Sequence, residues 1–329
     1  MEYVIIGNGV AGTSAAESIR QFDPAGNIAM IADENNVLYC RPMISLVLEG
    51  SIPPDKIKIR PENFYEDLKI ETMFGNRVEQ IDVANKTLTI KDKQSISFDK
   101  LLIASGADPR PIKATGLDLK NIFYMRTAGH VQQMLEILPK VKNALVLGGG
   151  LVGFKAAYGL LRRGLKVTML IRSGYPLSMQ VDEVAGKIIL DELIARGLEV
   201  KVEVDVVAFD GKESVEQAHL SDGSVLPCDM VVIGKGVLPA LSFVPQDKIE
   251  VDLGVRINAN METSTAGIFA AGDVAESVDI GRQTPWVNAI WPEAAVQGRI
   301  AGMNMAGRRV AYKGSLSRKI GRASCRERV

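Results

Sequence analysis

The sequence predicts an α/β chain made of two similar three-layer units, each with a parallel sheet, a helix layer and a β-meander. Three observations predict it. A glycine motif occurs twice, at Gly7–Gly12 and again at Gly148–Gly153. Each copy follows a short apolar run and opens a helix pattern. Each unit then passes through alternating apolar residues into a closing apolar run, as a meander does.

The elements follow in chain order. Met1–Gly12 is a strand running into a glycine turn, and Val10–Gln21 is a helix rich in Ala and Ser. Asp23-Pro24 breaks that helix, and Asn27–Ala32 is the second strand, which completes a βαβ unit. Val78–Ile103 alternates as a meander, turns near Asn85-Lys86 and ends in Leu101-Leu102-Ile103, followed by Ala104-Ser105-Gly106. Pro109–Pro111 separates the first unit from the second. There, Ala144–Leu147 is a strand, Leu151–Arg163 a helix closed by Gly164, and Lys166–Ile171 the next strand. Glu199–Val207 and Val215–Ile233 supply the second meander, with a turn at Asp222-Gly223. Pro239–Pro245 marks the next boundary. Asp247–Ser317 holds one strand signal at Gly267–Ala271 and one helix at Pro292–Met305, too little for a separate domain. It is expected to return to the first unit. The expected domains are therefore 1–108 with 243–317, and 110–240.

Composition narrows the chemistry. Lys and Arg total 39 and Asp and Glu total 39, so neither a nucleic-acid nor an anionic-membrane partner gains electrostatic support. No run approaches the roughly 18 apolar residues of a membrane span. Two histidines and three cysteines, with no CxxC spacing, argue against zinc, cysteine-held iron–sulfur clusters and a redox disulfide. So few reactive side chains point to a borrowed cofactor. No leader pattern precedes Tyr3, and unpaired cysteines suit the cytoplasm. Lys319–Val329, KIGRASCRERV, has no apolar periodicity and reads as a non-native tail. Residues 318–329, with Cys325, are set aside on that ground, and the natural chain is expected to continue past about Ser317.

The first motif, Gly7-Asn8-Gly9-Val10-Ala11-Gly12, suits a dinucleotide. Gly7 permits the tight turn, Gly9 lets the backbone approach a pyrophosphate, and Gly12 lets helix and strand pack closely. The helix N-terminus, including the backbone of Val10 and Ala11, then binds phosphate oxygens. An acid past the second strand should hold ribose hydroxyls, and Glu34 is the choice, with Asp33 its neighbour. In the second motif the corresponding candidates are Gly148, Gly150, Leu151, Val152 and Gly153. Its acid is absent: Ile171 stands there, followed by Arg172. An Arg can pair with a ribose 2′-phosphate, which points to tolerance of NADPH; the alternative is a solvated loop residue. In the third block Gly272-Asp273 follows a buried strand, and Asp273 can accept hydrogen bonds from a sugar-alcohol chain. Both units thus read as Rossmann-like dinucleotide-binding domains.

Taken together, these residues resemble the FAD-dependent pyridine nucleotide oxidoreductases, most nearly the NADH:rubredoxin reductase and nitrite-reductase flavin-domain branch. The resemblance runs from Met1 to about Ser317. Its carriers are Gly7–Gly12, Tyr39-Cys40-Arg41-Pro42, Leu102–Gly106 with Ala104, Ser105 and Gly106, and Gly148–Gly153. Ile233–Pro239 with Gly234 and Gly236, Gly267–Asp273 and Gln297-Gly298-Arg299 complete the set. The resemblance implies FAD at the first motif, its ribitol on Asp273, Arg41 and Pro42 along the flavin, and NAD(P)H at the second motif. It also implies that the helix after Pro292 aims its N-terminus at the flavin pyrimidine, with Trp291 on the ring or in a core or subunit interface. A C-terminal interface domain is implied as well, and a homodimer of the longer protein is left open.

Departures from the family's pattern shape the expected chemistry. Cys40 does not sit where the family's nucleophilic cysteine falls, and Cys228 reads as a small buried hydrophobe. The family's Lys–Glu pair is replaced by Leu46 and Lys155. Lys155 is the one catalytic candidate, supplying positive charge near the flavin N5, or else it faces solvent. Ala240 replaces a frequent Asn, and His130 and His219 read as structural. The expected activity is hydride transfer from NAD(P)H to FAD, then electrons to rubredoxin or ferredoxin, in either direction. The rivals are an oxidase that uses oxygen and a non-catalytic dinucleotide-binding scaffold.

Overall fold

The computed structural model describes residues 1–90 and 95–316; the expected non-native tail lies outside them. By its contacts the chain divides into two compact units. The first comprises Met1–Tyr39, Ile59–Ala107 and the chain from Pro239 onward. The second comprises Cys40–Lys58 and Asp108–Leu238.

In the first unit five strands form one parallel sheet, in the order Ile268–Ala270, Lys100–Ile103, Glu2–Ile6, Asn27–Ala32, Ile70–Phe74. The central strand is apolar and buried along nearly its whole length, as parallel strands covered on both faces are. Alternation sorts its side chains. Tyr3 and Ile5 join Ile28 and Met30 under the helices Val10–Phe22 and Trp291–Met305. Val4 and Ile6 join Ile31 against the meander Val78–Asp82, Thr87–Ile90, Ser95–Ser97. The two helices meet backbone to backbone. A Cβ on Gly298 would lie 2.1 Å from the Ala11 carbonyl oxygen, and one on Gly302 would lie 2.3 Å from that of Ala15.

The second unit has its own five-stranded parallel sheet, ordered Glu199–Val202, Lys166–Ile171, Asn143–Leu147, Met230–Ile233, Ile122–Tyr124. One element of this unit differs from the expected meander. Glu199–Val202 pairs in parallel with Lys166–Ile171 and is no part of the meander. Its Glu-Val-Lys-Val alternation comes from being a half-exposed edge. The meander is Val206–Asp210, Gln217–Leu220 and Val225–Pro227.

Two further findings were not expected. Asp247–Ser317 adds a small sheet of Val255–Arg256, Ala275–Asp279 and Thr284–Trp286, besides the expected strand and helix. And the segment 40–58 groups with the second unit rather than the first. Its short helix Ile44–Glu49 packs on the helix Leu151–Arg162, where Gly159 allows the approach: a Cβ there would be 3.3 Å from Glu49 N. Arg163 Nε donates to Leu48 O at 2.8 Å and its Nη2 to Val47 O at 3.2 Å. The bond to Leu48 O satisfies a carbonyl that the helix end leaves open.

Candidate functional site

Each unit presents its glycine turn at the carboxyl ends of its central strands, where the strand order reverses. In open parallel sheets that crevice is where ligands bind. In the first unit Gly7 has φ +116°, and a Cβ on it would be 2.1 Å from Ala104 O. A Cβ on Gly12 would be 2.0 Å from Gly7 O. Turn, helix and the neighbouring strand end are thus in direct backbone contact. Gly9 differs: nothing lies within 4 Å of its Cβ position. The second unit repeats this pattern. Gly148 has φ +113° and would press on Gly234 O at 2.6 Å, Gly153 would press on Gly148 O at 1.9 Å, and Gly150 faces open space.

The helix starts fit the same chemistry. Five described helices have ten or more residues. Two are capped by side chains: Thr127 accepts from His130 N, and Asp182 accepts from Ala185 N. The helices beginning at Val10, Leu151 and Trp291 have no side-chain cap. Their first N–H groups and the positive end of each dipole are left to a ligand. Phosphate oxygens at Gly9 and Gly150 match that need. The residues present therefore fit two dinucleotides, one per unit.

Around the first turn, side chains hold the loop in place. Tyr65 is buried; its hydroxyl accepts from Leu38 N at 2.9 Å and donates to Asn8 Oδ1 at 2.8 Å. Asn8 Nδ2 donates to Asn36 O at 2.9 Å. Glu34, two residues past its strand, is half-buried and accepts from Tyr39 Oη at 2.7 Å. Gly272 has φ +82°, and its N–H donates to Gln297 Oε1 at 2.8 Å. A Cβ on Gly272 would meet Ala11 at 3.1 Å and Ala294 at 3.6 Å, so the turn that carries Asp273 lies against both helix starts. Gln297 also donates to the Tyr312 hydroxyl at 3.1 Å, and Tyr312 donates to Glu293 in the first helical turn. Burial pushes the Tyr312 hydroxyl above its ordinary value. Ser105 Oγ donates to Ala240 O at 3.0 Å, and Ala240 N to Gly106 O at 3.1 Å.

The first unit thus brings together Gly7, Gly9, Val10, Ala11, Gly12, Ala104, Gly272, Asp273 and the helix start at Trp291, a half-buried residue. Asn8, Tyr65, Gln297 and Tyr312 were not singled out in the sequence, although Asn8 and Gln297 lie in motifs that carry the resemblance. Arg41 and Pro42 group with the second unit, where Arg41 Nη1 donates to Arg126 O at 2.8 Å. In that unit Lys155 is exposed, one turn into its helix, and its charge reaches the Cys40 thiol. Arg172 is exposed just past the second strand.

Neither described cysteine is activated. Burial raises the Cys40 thiol, only partly opposed by the Met43 N–H and the Lys155 charge. Cys228 is pushed up to about 12, by burial first and then by Asp229. At pH 8 about one Cys228 in ten thousand is then thiolate. Native protein at pH 8 should therefore keep Cys228 unmodified by iodoacetamide over a time that labels the urea-unfolded chain completely. Equal labelling rates would contradict the assignment. The raised value also stabilises the fold up to about pH 9, and this contribution is lost as pH climbs towards 12.

No described helix is long and apolar enough to cross a membrane. A family model described as pyridine nucleotide-disulphide oxidoreductase matches residues 1–297. The chain is 31% identical over 274 residues to the assimilatory nitrate reductase electron transfer subunit of Bacillus subtilis (strain 168), covering 83% of this chain and 36% of that one. It is 29% identical over 277 residues to the rubredoxin-NAD(+) reductase of Pseudomonas putida, covering 84% of this chain and 72% of that one. Among solved structures, NADH:rubredoxin oxidoreductase from Clostridium acetobutylicum superposes with a TM-score of 0.80 at 27% identity, over 98% of this chain and 79% of that one.

Proposed function

The chain belongs to the pyridine nucleotide-disulphide oxidoreductase family, and from that premise we propose that it is an FAD-dependent NAD(P)H oxidoreductase serving a small electron carrier such as rubredoxin or ferredoxin. One observation carries the reading. Two glycine turns of the same geometry each offer an open Gly position and an uncapped helix start at a sheet's switch point. The carrier class rests on relatives whose names join rubredoxin and a nicotinamide. It also fits Cys40 and Cys228, whose thiols burial pushes up, so the described residues offer no activated dithiol to relay electrons. The chain spans 36% of the Bacillus subtilis subunit it matches, so further domains of such proteins fall outside this reading. We place the enzyme in the cytoplasm, in keeping with unpaired Cys40 and Cys228.

FAD, when bound, supplies hydride acceptance and stepwise electron release. The protein's own residues supply position. Gly7, Gly9 and Gly12 with the Val10 and Ala11 N–H groups bind its pyrophosphate, Glu34 its ribose and Asp273 its ribitol. Asn8, clamped by Tyr65, fixes the loop that presents those N–H groups. Gly148, Gly150, Leu151, Val152 and Gly153 do the same for the nicotinamide dinucleotide, beside Gly234 and Gly236. Arg41 and Pro42, and Ala104 with Ser105 and Gly106, line the flavin. Rate then comes from orienting two rings, with little acid–base work by side chains.

Lys155 is assigned a charge role. Its ammonium already acts on the residue preceding Arg41. Lys155→Ala should lower the flavin midpoint potential by on the order of 30 mV, a tenfold change in a two-electron equilibrium, and slow reduction. Spectroelectrochemistry that finds an unchanged potential removes Lys155 from the mechanism. The reading as a whole is tested by anaerobic stopped-flow. The yellow protein should bleach on mixing with NADPH or NADH and recolour with rubredoxin or ferredoxin. Recolouring by oxygen alone at the rate of bleaching would make it an oxidase, and a flavin that never bleaches would make it a scaffold.

A further inference from the structure

The position that selects between the two nicotinamide coenzymes is built in an unusual way. At the end of the strand Lys166–Ile171 a carboxylate would accept hydrogen bonds from a ribose 2′-hydroxyl and repel a 2′-phosphate. Ile171 stands there instead, fully buried, with its Cγ2 only 2.7 Å from the Cβ position of Gly149 in the glycine turn. The next residue, Arg172, is exposed and has no hydrogen-bond or ion-pair partner among the described residues. Past the end of the paired strand, Glu203 forms no ion pair among the described residues, and Asp205 is paired with Lys235.

The loop that carries Arg172 is held at both ends. Gly148 N donates to Leu170 O at 2.9 Å on one side, and Leu177 N donates to Gly149 O at 2.7 Å on the other. Between them Ser173 Oγ donates to Tyr175 O at 2.8 Å, and the Tyr175 ring packs over Gly186. An unpaired guanidinium is thus fixed on a braced loop, tied to the same turn whose Gly150 faces open space. A planar fork with two parallel N–H donors suits a phosphate monoester dianion.

We infer that the chain prefers NADPH to NADH, with Arg172 reading the 2′-phosphate and Ile171 removing the group that would reject it. This rests on the reading of the second unit as the nicotinamide-binding one. It departs from the NAD(+) in the names of its relatives.

Calorimetry on the FAD-loaded protein tests it without turnover. The probes are 2′,5′-ADP, which carries the phosphate, and 5′-ADP, which lacks it. The 2′,5′-ADP should bind at least about tenfold more tightly at low salt, and the ratio should shrink as salt rises. Arg172→Gln should bring the two affinities to within about twofold, and Arg172→Lys should keep part of the preference. Stopped-flow reduction should show the matching change in the NADPH to NADH ratio of apparent affinities. Equal binding of both probes by the native protein overturns the inference, as does an Arg172→Gln protein that keeps the full ratio. If neither probe binds, the second unit is no dinucleotide site, and the proposed function fails along with the preference.

Discussion

Gly153→Ala protein should purify yellow and stay yellow when mixed anaerobically with NADPH or NADH. The added methyl would sit 1.9 Å from the Gly148 carbonyl oxygen, and a backbone atom has no rotamer by which to yield. The helix start must move away from the strand end, and the N–H groups at Leu151 and Val152 leave the path of a pyrophosphate. Small shifts of this kind cost on the order of a hundredfold in rate even far from the chemistry. Flavin reduction by NADPH should therefore slow by about two orders of magnitude. The first unit contains no part of this turn, so flavin content should hold at one per chain. Stopped-flow traces and the flavin-to-protein absorbance ratio check both halves. A variant that bleaches at the native rate would show that the second turn carries no coenzyme.

Gly12→Ala should have the mirror effect. Its methyl would lie 2.0 Å from Gly7 O and 3.1 Å from Ile5 Cγ2, beneath the first unit's turn. The helix cannot simply slide outward, because Gly298 and Gly302 already touch its carbonyls on the far side. Overpacking of this sort costs about 1–3 kcal/mol, a fall in melting temperature of roughly 2–12 °C depending on how large a unit melts together. The purified protein should be colourless and take up little added FAD. It should still bind 2′,5′-ADP, since the second unit is unaltered. Each substitution is thus the control for the other. A yellow Gly12→Ala protein with native FAD affinity would remove the first turn from the flavin site.

Both turns are legible in the sequence because several constraints coincide there. A strand buried on both faces, a glycine forced to positive φ and a small residue at each backbone contact leave few alternatives. The acid at Glu34 and the aspartate at Asp273 follow from position relative to those strands. Less was legible where polar residues are buried. Glu276, Ser277 and Asp279 break the alternation expected of a strand. Yet Ala275–Asp279 is one, because Gly254 N and Arg282 N find these carboxylates. The clamp on Asn8 depends on Tyr65, a residue 57 positions away. The allegiance of the segment 40–58 depends on Arg163, at a separation of 115. Contacts of that span leave no local period in a sequence.

The order of the first sheet also bears on how the protein is made. Its edge strand Ile268–Ala270 pairs with Lys100–Ile103, and the helix Trp291–Met305 covers the helix Val10–Phe22. On the ribosome the opening hundred residues must wait for that strand, roughly 10–30 s at ordinary elongation rates. Every residue of the second unit has been polymerised by then. Translation therefore finishes the two halves in the reverse of the order in which it starts them, and the exposed apolar flank of the waiting half is where a chaperone would be needed.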